Sequence, residues 1–217
     1  MLRMLMILAT LCLSIAAANA QSRVQSVPGD FDYYVLSLSW SPSYCETAHG
    51  AGAEAQCGRR PFSFVVHGLW PQFEKGFPEA CQVPAPRLDR RIVDAMLDLM
   101  PAPQLVFHEW DTHGTCSGLP ARDYFDLIRK ARAKVAIPPD YDNPQAPLTV
   151  TPQDVVASFV KANDGLTTQD ITLDCDRTRL REVRICLTRD LAFRDCTDRR
   201  NSCRSPSVVM PPARGGQ

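Results

Sequence analysis

Net charge is what this sequence most plainly lacks: over 217 residues Lys plus Arg and Asp plus Glu both total 24, so the formal charge at pH 7 is zero. A protein that grips nucleic acid over its whole surface needs a clear cationic excess, and that class is excluded. Any dealings with a polyanion have to be confined to a local groove. Lysine is scarce, with 4 Lys against 20 Arg. Closely spaced C-x-x-C pairs are absent, which argues against the common zinc patterns. Beyond residue 20 no apolar run reaches the ~20 residues that a bilayer crossing demands. No repeat is visible, and no linker interrupts residues 21 to 203. A single domain is expected.

Hydrophobic residues make up 45% and charged residues 22%, an ordinary globular balance that excludes wholesale disorder. Nine Cys and 18 Pro point outside the cytosol. Residues 1–20 have the form of a cleaved signal peptide: Arg3, an apolar core from Leu5 to Ile15, and Ala18-Asn19-Ala20 as the cleavage site. The core is too short for an anchor, and Leu11 before Cys12 is too large for a lipid-modified cysteine. The expected product is exported, to the periplasm or the medium, and free of the membrane. Without Cys12, eight cysteines remain: Cys45, Cys57, Cys81, Cys116, Cys175, Cys186, Cys196 and Cys203. An even number in an exported chain reads as four disulfides, with on the order of a hundred connectivities open.

Phe31 to Trp40 is rich in aromatic and branched residues and reads as a strand, as does Pro61 to Val66, which runs into His67-Gly68. Helical spacing marks Leu88 to Met100 and Ala121 to Ile137. Thr151 followed by Pro152 predicts a capped helix start, with the helix reaching about Asn163. Ile171 to Cys175 and Val183 to Leu187 alternate as short strands, and the residues after Arg204 read as a frayed, flexible tail (204–217). Strands stand both before and after the helices without regular alternation. The expected fold is one α+β domain around a mainly antiparallel sheet.

Three of the four histidines fall in two blocks, Phe64-Val65-Val66-His67-Gly68-Leu69-Trp70-Pro71 and His108-Glu109-Trp110-Asp111-Thr112-His113-Gly114-Thr115-Cys116. One histidine alone would read as structural, but this grouping points to proton transfer near neutrality. If 108 to 113 is helical, Glu109 and His113 share a face, while His108 lies about 140° round from His113. Glu109 could then bond or bias His113, with His67 arriving from a strand end. The zincin pattern needs histidines four apart, and here they are five apart. A zinc site using His67, His108 and His113 is the competing reading. Trp110 reads as core and His49 as solvated. The arginine-rich stretch from Arg177 to Arg204 reads as a solvated sheet face interleaved with acids, with a polyanion track as the competing reading.

The two blocks resemble the signatures of the ribonuclease T2 family of secreted acid ribonucleases, H-G-L-W-P and H-E-W-x-K-H-G-T-C, and the likeness covers roughly residues 31 to 203. It implies a metal-independent endoribonuclease without cofactor, broad in base preference. Such an enzyme acts on single-stranded RNA and not on DNA, and the protein is expected as a monomer. The RNA 2′-hydroxyl attacks its own phosphate, giving a 2′,3′-cyclic phosphate that water can hydrolyse afterwards. By similarity His113 is the base and His67 the acid, and Glu109 and His108 hold the phosphate. Trp70 would stack a base, with core packing as its equally open alternative, and Gln72 would bond the base edge. The resemblance also implies the pairs Cys45–Cys57, Cys81–Cys116, Cys175–Cys203 and Cys186–Cys196. One fixed position departs: Thr112 stands where the family has lysine, offering a hydroxyl in place of a cation beside the phosphate. Another group, such as an arginine, then has to compensate, or the protein is a weak catalyst that binds RNA or protein.

Overall fold

The run Leu36-Ser37-Leu38-Ser39-Trp40 alternates apolar and hydroxyl side chains, and a strand sends two such sets to opposite faces. In the computed structural model, which describes residues 26–48, 51–58, 60–197 and 203–213, this run ends strand β1, Tyr33–Trp40. The expected signal segment (1–20) and His49 lie outside the described residues. Strand β1 is central in an antiparallel sheet, between β2 (Phe64–Gln72) and β5 (Leu180–Leu187), with β4 (Ile171–Cys175) outside β5. The α+β architecture and the antiparallel sheet are as expected.

One face of the sheet builds the core. Leu36, Leu38 and Trp40 of β1, Val66 and Leu69 of β2, and Val183 and Ile185 of β5 are buried there. After two short helices, α1 (Ser41–Cys45) and α2 (Ala51–Cys57), helices α3 (Arg90–Met96), α4 (Pro103–Thr112), α5 (Ala121–Lys134) and α6 (Pro152–Ala162) supply the opposing Met96, Val106, Trp110, Phe125, Ile128 and Phe159. Fully burying such side chains is worth about 1.5–3 kcal/mol each. Trp110 is core, as expected, and its indole N–H donates to the Pro86 carbonyl at 2.7 Å.

Helix ends follow local chemistry. Thr151 and Asp154 form a reciprocal capping box at the start of α6. Helix α3 begins later than its apolar spacing predicts, because Asp89 takes the N-cap and accepts the Arg91 amide. Helix α5 stops at Lys134, short of Ile137, because Val135 turns extended ahead of Pro138-Pro139. Strand β2 continues past Val66 to Gln72 because β1 pairs with it along that whole length. The tail expectation needs correcting: Val208–Met210 forms a strand, β6, antiparallel to β3 (Leu148–Val150), with Val208 and Met210 buried. The Trp40 indole also donates to the Pro211 carbonyl at 3.0 Å. Residues 214–217 lie outside the described residues.

Four disulfides join Cys45–Cys57, Cys81–Cys116, Cys175–Cys203 and Cys186–Cys196, the pairing that the resemblance implies. Cys81–Cys116 ties the end of the second histidine block to the loop after β2. Bridges of this kind are typically worth about 2–5 kcal/mol in small exported domains. Among the described residues no helix is long and apolar enough to cross a membrane.

Candidate active site

Cross-strand pairing decides which side chains share the second face of the sheet. Val35 opposes both Trp70 and Cys186, Ser37 opposes Arg184, and Ser39 opposes Glu182. Thr172 and Asp174 of β4 continue the last two rows. This face therefore carries polar and charged groups where the other carries Leu, Val and Ile.

His67 sits at a break in that order. The β1–β2 register passes from Ser37↔Gly68 to Leu38↔Val66, so His67 is the extra residue of a β-bulge. The bulge also changes the phase of β2. Before it Val66 points to the core; after it Leu69 does, leaving Trp70 and Gln72 on the polar face. The second block approaches from α4, which ends at Thr112 with His113 as its C-cap. A short 3-10 turn, Gly114–Ser117, follows, and the Tyr124 hydroxyl donates to the Leu69 carbonyl at 3.0 Å, holding α5 to β2. Two glycines permit the approach. A Cβ on Gly114 would meet Trp110 at 2.5 Å, and one on Gly68 would meet the Glu109 carboxyl at 1.9 Å.

The structure brings His67, Trp70, Glu109 and His113 together. Trp70 stands between the histidines, its ring centroid 5.2 Å from His67 and 5.4 Å from His113. Its indole N–H donates to Glu109 Oε2 at 2.8 Å, and Glu109 Oε1 lies 3.6 Å from His67 Nε2. Glu109 thus faces His67 and Trp70, not His113 as the shared helix face predicts, because the helix ends between them. His108 is exposed, 6.5 Å from the His113 ring, with the Thr112 hydroxyl 3.4 Å from its Nδ1. Trp70 is half-buried, packed against its neighbours on one side and open to a hollow on the other. It packs at Tyr33 and Val35 and lines a pocket of about 320 Å³ with Gln72, His113 and Arg184. A second hollow of about 290 Å³ lies on the other side of His67, reaching Tyr44, Gln104 and His108. Another hollow, of about 880 Å³ between α3 and α4, is lined by none of these groups.

Burial and neighbours push the titrating groups apart. Glu109 is fully buried, which raises its carboxyl to about 7 against the opposing pull of His67 and the Trp70 N–H. Burial lowers His113 to about 4, helped by the nearby His108 and His67; its Nδ1 is buried without a hydrogen-bond partner. Burial also works against charged His67, but the hydrogen bond to Glu182 and the two carboxylates outweigh it, so His67 lies above its ordinary 6.5.

Glu182 and Arg184 are what the sequence reading missed. The arginine-rich stretch was expected to be a solvated face, yet Glu182 is buried and bonds His67 Nδ1 at 2.6 Å. Arg184 grips Glu182 Oε2 with Nε and Nη2 at 2.8 and 2.7 Å, and its guanidinium lies 5.4 Å over the Trp70 ring. The signal available was the alternation Glu182-Val183-Arg184-Ile185, charged on one face and apolar on the other. Among the described residues no group of three or more His, Cys, Asp or Glu converges as metal ligands would.

The sequence profile of the ribonuclease T2 family matches residues 31–196. A ribonuclease of Aeromonas hydrophila is 43% identical over 106 residues, 49% of this chain and 47% of that protein, so the chain spans about half the length of this relative. Ribonuclease DdI of Dictyostelium discoideum is 28% identical over 96% of this chain and 99% of its own. Among solved structures, RNase NT in complex with 5′-AMP superposes with a TM-score of 0.66 at 24% identity, covering 84% of this chain and 99% of that one, which shows the fold. The bulged strand with its histidine, the helix end that delivers the other, and three of the four disulfides all lie inside the matched stretch, and the chain belongs to the ribonuclease T2 family.

Proposed function

We propose that this protein is an exported, metal-independent endoribonuclease that cleaves single-stranded RNA at its own 2′-hydroxyl, with low base specificity. The observation that carries the reading is the placement of His67 and His113 on either side of Trp70, with shifts of opposite sign and buried Glu109 beside them. Between about pH 4 and 6.5, His113 is neutral and able to accept a proton, His67 is protonated and able to give one, and Glu109 is uncharged. His113 takes the 2′-hydroxyl proton, the 2′-oxygen bonds to phosphorus, and the P–O5′ bond breaks as His67 protonates the leaving oxygen. Both histidines end with swapped charges, which suits them to add water across the cyclic phosphate in reverse. Glu109 lies buried beneath His67 and Trp70, and its uncharged form spares an approaching phosphate the repulsion that a carboxylate would exert.

The hollows on both sides of His67 suit a phosphodiester with a nucleoside on each side, and Trp70 offers a stacking surface with Gln72 near the base edge. RNase NT was solved with 5′-AMP, a nucleotide that such a pocket has room for. The signal-like first twenty residues and four disulfides support export.

The deciding experiment incubates pure protein with single-stranded RNA, its 2′-O-methyl analogue and DNA, with and without EDTA. RNA alone is expected to be cut, EDTA is expected to have no effect, and cyclic phosphate ends should appear first. Chelator-sensitive cleavage would point to zinc at His67, His108 and His113; no cleavage would point to a binding protein.

Thr112 gives a second test. Its hydroxyl engages His108 one turn back on α4, so a lysine there projects an ammonium into the same row beside the phosphate. Thr112→Lys is expected to raise the single-turnover rate about tenfold, within the ~3 kcal/mol that such a stabiliser can supply. A rate unchanged from about pH 4 to 8 would place position 112 away from the phosphate.

A further inference from the structure

We infer that Glu182 is the positioning residue of His67, and that Arg184 and Ser39 exist in this site to hold Glu182. The inference rests on the ribonuclease reading for its kinetics but not for its geometry. A residue in a β-bulge is released from the regular ladder, so its side-chain direction has to be fixed by something else. His67 is also about one-third exposed, with too little packing to fix an imidazole. What fixes it is the 2.6 Å hydrogen bond between Nδ1 and Glu182 Oε1, which reaches across β1 from two strands away. That bond makes Nδ1 the donor and leaves Nε2 facing Glu109, where the transferable proton is needed.

Glu182 is itself over-determined. Its Oε2 accepts both Nε and Nη2 of Arg184, the Ser39 hydroxyl donates to Oε1 at 3.4 Å, and its side chain is 7% exposed. A carboxylate this deep is costly unless paired, and these partners hold it ionised, at about 2. The order His67–Glu182–Arg184 is therefore a relay of orientation, in which Glu182 acts through His67 while Arg184 also lines the hollow beside Trp70. The charged groups around His67 are Glu182 and Arg184 from β5, Asp174 from β4 behind Arg184, and Glu109, His108 and His113 from α4 and its end.

Removing the Glu182 charge withdraws the main support of the imidazolium, so His67 should lose its proton at lower pH. In Glu182→Gln, which keeps the size and an acceptor oxygen, kcat should fall on the order of 10- to 100-fold with KM little changed. The alkaline limb of the kcat/KM profile should move down in pH, and the acid limb, set by His113, should stay. Proton NMR of the His67 ring reads the same shift without substrate, and nitrogen shifts in the wild type should report Nδ1–H. A Glu182→Gln protein with an unmoved His67 titration overturns the inference, whatever its activity. So does a loss of melting temperature with both limbs in place, which would mark Glu182 as structural only. Should the wild type cleave no RNA, the ribonuclease reading fails, and the NMR titration still decides the role of Glu182.

Discussion

His113→Ala is expected to lower RNA cleavage by about 10²–10⁴-fold while the protein stays folded, and His67→Ala should do the same. His113 sits at a helix end where its ring makes no hydrogen bond through Nδ1, so truncation leaves no partner stranded. The two losses should differ in their pH dependence. Wild-type activity should rise as pH passes about 4, where His113 gives up its proton, and fall above 6.5 as His67 loses its own. Glu109 becomes anionic near 7 and adds to that fall. His113→Ala should erase the acid limb, and His67→Ala should flatten the alkaline one. Because the pair acts as a unit, the double variant should be scarcely slower than either single one. A His113→Ala protein that keeps more than about a tenth of the rate would show that the base lies elsewhere.

Gly68→Ala is expected to be nearly as damaging although it removes nothing. The added methyl would lie 1.9 Å from Glu109 Oε2 and 2.4 Å from Trp70 Nε1, the two atoms of the hydrogen bond that sets the carboxyl. Glu109 is completely buried and has no room to retreat, so the helix or the strand has to move. Misplacing a reacting group by about 1 Å can cost 10²-fold in rate, and overpacking costs about 1–3 kcal/mol in stability. Gly165→Ala is the control: its φ of +81° makes alanine strained, but nothing lies within 4 Å of the new methyl. It should lower the melting temperature and leave kcat alone. Equal rates for Gly68→Ala and wild type, measured at saturating RNA, would mean that Glu109 does not need its present position.

Features settled within a few residues were legible in the sequence. Thr151 and Asp154 mark a helix start through bonds spanning three positions, and Ile171–Cys175 carries its strand pattern in five residues. The histidine blocks and the disulfide partners were legible through family likeness, which stores long-range geometry in a short string. Contacts made only by register were not. Glu182 and His67 are 115 positions apart, and nothing local marks a glutamate in an arginine-rich strand as a histidine's partner. The bulge at His67 exists only relative to β1. Val208-Val209-Met210 is too short, among serines and prolines, to be read as a strand without its partner Leu148–Val150.

The place of β1 between β2 and β5 has a consequence for how the protein is made. Ser39 and Glu182 face each other across adjacent strands but are 143 positions apart in the chain. At about 5–20 residues per second, translation separates their appearance by roughly 7–30 s. Until then the nascent chain has β1 and β2 but lacks β5, which covers the other edge of β1 and carries Glu182. A growing or prematurely terminated polypeptide thus lacks the strand that steadies His67, and on the ribonuclease reading it is expected to cleave any RNA within reach more slowly than the finished protein does.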